Sequence, residues 1–404
     1  MSAVVRLDPS ALALPAPAVS AGALEVATIS ELAAFTAMRE EWNQLLESSR
    51  AATVFLSWEW LHTWWTHAPV AGRVAILAVR RGALLVGLAP FRSRRDLCGA
   101  ERFEFLGTGR VGSDYLDVIA REGDEAAVVA ALASHVTRNG AILDLKQVRV
   151  TTSSAAGLAR ELVPSRYVVR VARTHRCPYI DLAGLTWDGY LASLGSEHRY
   201  NFRRKLRKLE AKHTLRIESA TSEASRRALL PVLFDLHQRR WSERGGSDGL
   251  AGLEAFHEHF SQLALERGWL RLFVLRLDEI PAAVLYGFRY GRVFSFYQSG
   301  FDPSFRNASV GLVALGIAIR GAIEEEAGEF DLLHGQEPYK FHWASRSRRL
   351  GRIAAYPNGA AGRLALGQAT AVEAARRVLR MLPAGVAASF AAIRGGMIDA
   401  APAG

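Results

Sequence analysis

From Leu270 to Leu277 (LRLFVLRL), apolar residues alternate with polar or charged ones, the period-two pattern of a half-buried strand. Asp278 and Glu279 turn the chain, and Pro281 stands where a strand tolerates a missing N–H. AAVLYGFRY is a second strand. Gly291-Arg292 makes a tight hairpin turn into a third, VFSFYQSGFD. Pro303 and the polar run FRNAS form a loop, and a helix starts near Ser309 and runs through GLVALGIAIRGAIEEEA until Gly328 stops it. Phe330 to Leu333 (FDLL) is one more short strand. The order is β-β-β-loop-α-β, and a helical crossover places the last strand parallel to the third.

The upstream half repeats this order. Ser30 caps a helix, ELAAFTAMREEWNQLLES, and the Trp-rich FLSWEWLHTWWTH forms another, its aromatic stripe reading as core. Then come VAILAVR, the turn Arg81-Gly82, ALLVGLAPF, RFEFLG, SDYLDVI, a helix from Glu125 to Thr137, and the strand AILDLKQV. AILDLKQV fills the slot of EFDLLHGQ, so element order points to duplication. Arg166 to Ala172 and Cys177 to Leu182 are strand-like links between the halves. Thr186 caps a short helix, Ser196 caps SEHRYNFRRKLRKLE, and Pro231 opens VLFDLHQRRWSE. GGSDGLAG is the best lid candidate.

The strings YQSGFDPSF, GLVALGIAIRGAIEEEAGEFDLLHGQEPYKFHW and SEHRYNFRRKLRKLE resemble the bacterial acetyltransferase-like family named around the CelD cellulose-biosynthesis proteins, relatives of the FemABX aminoacyltransferases. The resemblance is strongest from Trp187 to Trp343; FLSWEWLHTWW and SDYLDV are similar to it too. It implies an α/β protein of two tandem GNAT-like (acyl-CoA N-acyltransferase) domains, with mixed central sheets flanked by helices. The expected boundaries are a disordered tail over 1–24, an N-terminal GNAT-like domain over 25–175, a C-terminal acyltransferase domain over 176–356 and an Ala/Arg-rich helical tail over 357–404. It further implies transfer of an acyl group, acetyl foremost, from coenzyme A to an amino group of a sugar, glycan or cell-envelope precursor. Two alternatives stand beside it: a FemABX-like aminoacyl-tRNA-dependent transferase, and a non-catalytic scaffold of an export system that binds a glycan or partner.

Composition narrows the partners. The 404 residues carry a formal net charge of +10 and a pI near 9.9, which favours anionic partners. Seven basic residues fall between Arg199 and Lys212, with Glu210 the only acid. Such a one-signed helix points to an anionic acyl donor or phosphorylated acceptor at Arg199, Arg203 and Arg204, to a face that is solvated or paired within the chain, or to tRNA through its phosphates. Cys98 and Cys177 match no metal or redox spacing and read as reduced cytoplasmic thiols. No apolar run is long enough to span a membrane, so peripheral contact at the inner membrane face is left to the basic amphipathic helix Thr370 to Leu382.

Three places can hold chemistry. The first turn of the crossover helix suits an anion, and the GNAT resemblance puts the coenzyme A pyrophosphate there, on Ser309, Val310, Gly311 and Leu312. The usual glycine-rich run is not intact, since NASVGLVA offers Gly311 alone. Asp331 to Trp343 packs polar and aromatic groups after a parallel strand. Acyl transfer to an amine needs a base, for which Glu337 and His334 are the candidates. Tyr339 is placed to protonate a leaving thiolate, and Lys340 and Trp343 to contact substrate. The motif Gly335-Gln336-Glu337-Pro338-Tyr339-Lys340 is the strongest of the resemblance; the rival reading is a Glu337–Lys340 pair closing a turn. Tyr297, Gln298 and Asp302, ending the third strand, face the same cleft. No metal-ligand set emerges, and no Gly-x-Ser-x-Gly elbow is present.

Overall fold

The structure, a computed structural model, describes residues 22–67, 72–95, 99–242, 249–335 and 337–381. The N-terminal half runs β1 (Leu24–Ile29), α1 (Leu32–Ala37), α2 (Arg39–Glu47), α3 (Trp58–His67), β2 (Arg73–Val74), β3 (Ile76–Arg81), β4 (Leu84–Ala89), β5 (Phe91–Arg95), β6 (Glu101–Phe105), β7 (Ile119–Ala120), α4 (Glu125–Arg138), β8 (Ile142–Val148), α5 (Ser154–Leu162) and β9 (Tyr167–Asp181). The second half adds α6 (Trp187–Ser193), α7 (Ser196–Glu210), β10 (Leu215–Ser219), α8 (Glu223–Ser242), α9 (Glu254–Glu266), β11 (Leu270–Leu277), β12 (Ile280–Tyr290), β13 (Val293–Phe301), α10 (Val310–Glu324), β14 (Glu329–Asp331), α11 (Pro338–Trp343), β15 (Arg346–Pro357) and α12 (Ala360–Met381).

The expected β-β-β-α-β unit is β11-β12-β13-α10-β14, antiparallel until the crossover and parallel between β13 and β14. The upstream unit is β3, then β4 and β5, β6, α4 and β8, again with a parallel pair, β6 and β8, across the helix. Fold class is thus mixed α/β with two GNAT-like halves. Pro90 breaks the expected strand ALLVGLAPF: β4 stays in a sheet ordered β1-β3-β4-β7, while β5 joins the large sheet.

That large sheet runs β10-β11-β12-β13-β14-β9-β15-β8-β6-β5-β2 through both halves. Its centre is an exchange. β8 of the first half pairs with β15 from the far end of the chain, β14 of the second half pairs with β9 from the first, and β9 and β15 pair with each other over almost their whole length. The two links expected at Arg166–Ala172 and Cys177–Leu182 are one continuous strand, β9, and β15 is a strand that the sequence pattern does not predict. One apolar core joins the first half to the α8–α9 face of the second; a separate one lies between the sheet and α7, α10 and α11.

Local departures have local causes. Pro231 lies inside α8 instead of opening it, and burial of Leu229, Leu230, Leu233 and Leu236 carries the helix through. The first long helix breaks at Met38 into α1 and α2. Most of SDYLDVI is irregular, because Tyr115 turns left-handed (φ 56°). Among the described residues no helix is long and apolar enough to cross a membrane. α12 packs on β15, with Ala365 buried and Glu373 held by Arg170 at 2.7 Å. The side chains of Arg376, Arg377 and Arg380, which defined its basic face, lie outside the described residues, as do Cys98, residues 1–21 and the first half of the lid candidate.

Gly300 lets β13 press against α8: a Cβ there would stand 2.5 Å from the carbonyl carbon of Leu236. Gly300→Ala is therefore expected to cost about 1–3 kcal/mol of stability; an unchanged urea midpoint would refute that packing.

Candidate active site

β13 and β14 pair only from Val293 to Ser295 against Glu329 to Asp331. β13 continues to Phe301 while the chain after Asp331 turns away along β9, Leu332 donating to Pro178 O at 3.0 Å. Two features force the divergence. The β12–β13 register shifts after Tyr286, leaving Tyr297 as the extra residue of a bulge, and Leu333 turns left-handed (φ 55°). The result is a wedge between two parallel strands, open toward their carboxyl ends.

The tip of α10 stands beside it. Ser309 is left-handed (φ 59°) and makes no side-chain cap, which its backbone geometry precludes. Of the four amides expected to meet an anion, two are spent inside the chain: Ser309 N–H on Arg306 O and Leu312 N–H on Ser309 O, each at 3.0 Å. Val310 and Gly311 remain, and Gly311 is exposed. No carboxylate plugs the tip among the described residues. The nearby Asp302 instead accepts from Ser304 N–H at 2.8 Å and from Arg239 at 3.2 Å, which holds its carboxyl below the usual range. It is a turn cap.

α7 lies against α10, Phe202 filling the space that a side chain at Gly316 would need. The helix starts at Ser196 after Gly195, so Ser196 is its first residue and no side-chain cap is made. Arg199 turns inward onto the carbonyls of Leu191, Ala192 and Leu194, at 3.4, 2.9 and 3.3 Å, and ties α6 to α7. Arg203 and Arg204 stay exposed, Arg203 3.8 Å from Asp188 and Arg204 3.4 Å from Asn201. Lys205 reaches Asn307 O at 3.0 Å, so the basic face borders the loop that precedes α10.

At the inner end of the wedge sits His334. Its Nδ1 lies 2.8 Å and 3.0 Å from the two oxygens of Asp114, and its backbone N–H donates to the same carboxylate at 2.8 Å. Asp114 is fully buried and comes from the other half of the chain; Gln147, ending β8, donates to it at 3.2 Å. The bond to Asp114 raises the imidazole's pKa above its ordinary value against the opposing effect of burial. It also keeps the proton on Nδ1, leaving Nε2 as the basic lone pair. The side chain is 37% exposed, enough to meet a substrate. His175 packs beside it with ring centroids 5.1 Å apart, its own pKa lowered by burial.

The rest of the motif builds the turn that carries His334. Lys340 is buried, donates to His334 O at 2.9 Å and pairs with Glu337 at 3.3 Å. Gly335 (φ 147°) leaves room for both, since a Cβ there would stand 3.0 Å from the Glu337 carboxyl carbon. The turn-closing pair is therefore present, and Lys340 is spent on it. Tyr339 packs on the core of the second half. Trp343 is a core residue, 2% exposed among Tyr190, Phe202 and His198. Gln336 lies outside the described residues.

Behind His334, Asp331 accepts from Tyr115 at 2.6 Å and from Leu333 N–H at 2.7 Å, and burial pushes its carboxyl up to about 6. Arg348 of β15 binds both Asp331 and Glu329. Tyr297 donates to Val111 O, and Gln298 contacts His237 at 3.2 Å. Among the described residues no cluster could hold a metal ion. Of the residues expected at this cleft, Tyr297 packs against the first core and Gln298 against His237 of α8; Asp114, the partner of His334, was not singled out, and its one signal was the family-like string SDYLDV.

Asp114→Asn removes the charge that raises the His334 pKa. In a proton-detected histidine titration the His334 midpoint is expected to fall by about one unit or more; coincident His334 curves would break the assignment.

Comparison with known proteins agrees with this geometry. Residues 196–341 match the family described as an acetyltransferase (GNAT) domain. The chain is similar to the crystal structure of FemX, with a TM-score of 0.55 and 11% identity over 81% of this chain and 96% of that one. It is similar to the structure of L-PGS from Bacillus licheniformis, with a TM-score of 0.50 and 12% identity over 79% of this chain and 91% of that one. At such identities the likeness is one of fold. A sequence comparison with curated proteins finds none that matches. Residues 196–341 therefore form a GNAT-type acyltransferase domain, within a fold shared with FemX along most of both chains.

Proposed function

We propose that this chain transfers an acyl group, acetyl in the first instance, from coenzyme A to an amino group of a sugar, glycan or cell-envelope precursor. The observation that carries the reading is the open β13–β14 wedge with His334 at its inner end and the unplugged tip of α10 at its side. The residues fit the donor. Val310 and Gly311 offer amides at the positive end of a helix dipole, and exposed Gly311 leaves room for a phosphate to approach the backbone. Acetyl-CoA bound there supplies an activated carbonyl, so that the new C–N bond forms as the C–S bond breaks.

The chain's own part is a proton transfer and positioning. An ammonium acceptor must lose a proton before it can attack, and His334 Nε2 is the oriented base that takes it. Asp114 holds the ring and stabilises the imidazolium, whose proton is then available to the departing thiolate. Glu337, the other candidate base, stands 3.3 Å from Lys340, which favours a part in the turn. The envelope acceptor follows from the resemblance to the CelD-like family.

A second reading, aminoacyl transfer from tRNA, is favoured by the FemX-like fold and by the exposed arginines of α7. The two separate by donor: acetyl-CoA-dependent thiol release with glucosamine supports the first, whereas a tRNA requirement that weakens steeply with salt supports the second.

His334→Gln is expected to lower kcat about 100- to 10,000-fold while leaving the acetyl-CoA Kd in place. Activity should fall as pH drops through the raised His334 pKa, because the protonated ring cannot accept. Asp114→Asn, which lowers that pKa, should move the acidic limb of the rate profile downward; an unmoved limb would remove His334 as the base. Gly311→Asp sets a negative charge at the helix tip and should weaken acetyl-CoA binding about tenfold, read by calorimetry. An unchanged Kd would place the donor elsewhere.

A further inference from the structure

Two guanidiniums, one from each half, stand on the α8–α9 side of the molecule: Arg240 on α8 against β13, and Arg110 against Ala251 in the segment between α8 and α9. Arg240, near the end of α8, donates Nη1 to Ser299 O at 3.1 Å and to Ser299 Oγ at 2.8 Å, on the splayed end of β13. Its guanidinium lies against the rings of Trp241 and Phe301, 5.7 and 5.5 Å from their centroids. Among the described residues Nε is buried and makes no hydrogen bond, and Nη2 has none either, so the Nε–Nη2 edge is without a partner there. A buried N–H left in that condition is unfavourable unless a ligand or solvent takes it. That edge is also the planar fork that grips a phosphate or carboxylate through two parallel bonds.

The neighbouring Arg239 shows the contrast, held by Asp235 at 2.8 Å and Asp302 at 3.2 Å. Arg240 faces no carboxylate among the described residues. Nor does Arg110, which is exposed in the loop that leads to Asp114 and donates only to Ala251 O, at 2.5 Å. Val111, next to Arg110, accepts from Tyr297, two positions before Ser299. Arg240 is thus bonded to β13 directly, and the loop of Arg110 meets the same stretch of β13 through Val111, while the Arg110 guanidinium itself rests on Ala251 O. Gly112, two residues on from Arg110, lies against the dyad: a Cβ there would stand 4.0 Å from His334 Cε1. α10 and its tip belong to the core on the other face of the sheet.

We infer that Arg240 and Arg110 hold an oxyanion of the acceptor, a phosphate or a carboxylate, with its amine directed toward His334. Calling the ligand the acceptor rests on the acyl-transfer reading; the anion site itself does not. It also moves acceptor recognition off α7, where the run of basic residues first pointed.

The test titrates the full chain, saturated with coenzyme A, with glucosamine 1-phosphate, muramic acid and neutral glucosamine. One or both anionic sugars should bind about 10- to 100-fold more tightly than glucosamine, and which of them does so tells phosphate from carboxylate. Arg240→Gln and Arg110→Gln should each erode that preference. Arg240→Lys, which keeps the charge but loses the fork, should erode it in part, and the remote surface variant Arg227→Gln should leave it whole. Equal binding of all three sugars overturns the proposal, as does a preference untouched by the Arg240 and Arg110 variants, or a loss confined to coenzyme A. Thiol release measured on the same samples keeps the readings apart: an intact anionic preference with no acetyl-CoA-dependent thiol release sustains the anion site and removes the acyl-transfer reading.

Discussion

The antiparallel pairing of β9 with β15 is the constraint on which the rest depends. These strands run side by side along almost their whole length, and each also completes the sheet of the half it does not come from. With that seam closed, the loop of the first half that bears Asp114 is held against the turn of the second that bears His334. Arg348 of β15 reinforces the join by binding Glu329 and Asp331, while Arg352 binds Asp144 of β8 at 2.5 Å. Asp144 and Asp331 occupy equivalent strands, so the duplicated halves present matching carboxylates to one shared strand. A hydrogen bond between halves orients His334 only because the sheet between them is continuous.

The order β11-β12-β13-α10-β14 was legible because every signal for it is local. Alternation, a hairpin glycine and a Ser/Gly boundary each act over a few residues, and all agree. The strand exchange was not legible, since pairing partners some 180 residues apart leave no period in the sequence. β15 was hidden for a further reason. Its first residues, RSRR, look like a solvated run, yet Arg346 and Arg348 are satisfied by Asp181, Glu329 and Asp331 on neighbouring strands. Pro231 misled because proline is a good helix opener and a poor interior residue; tertiary burial outweighed that preference.

At the candidate site the same division holds. The wedge followed from crossover topology, and His334 from its place after a parallel strand. The turn pair of Lys340 stood in the sequence as the rival reading, but the uses of Arg199 and Trp343 did not stand out, because a cation or an indole in a dense motif serves packing as readily as binding. Arg199 closes the end of α6, Lys340 braces a turn, and Trp343 fills the core behind α7. Asp114 carried no periodic or compositional signal, and its role exists only in three dimensions.

The exchanged strands also set the order in which the molecule can be made. β8 waits for a neighbour that lies near residue 350, so the first half cannot finish its sheet while the ribosome is still building the second. At about 5–20 residues per second that wait lasts on the order of ten seconds or more. During it, the edge of β8 is an unpaired row of N–H and C=O groups, the kind of surface that holding chaperones cover and that a second nascent copy could capture. The junction that brings Asp114 to His334 therefore makes this protein a late, all-at-once folder rather than two beads formed in turn.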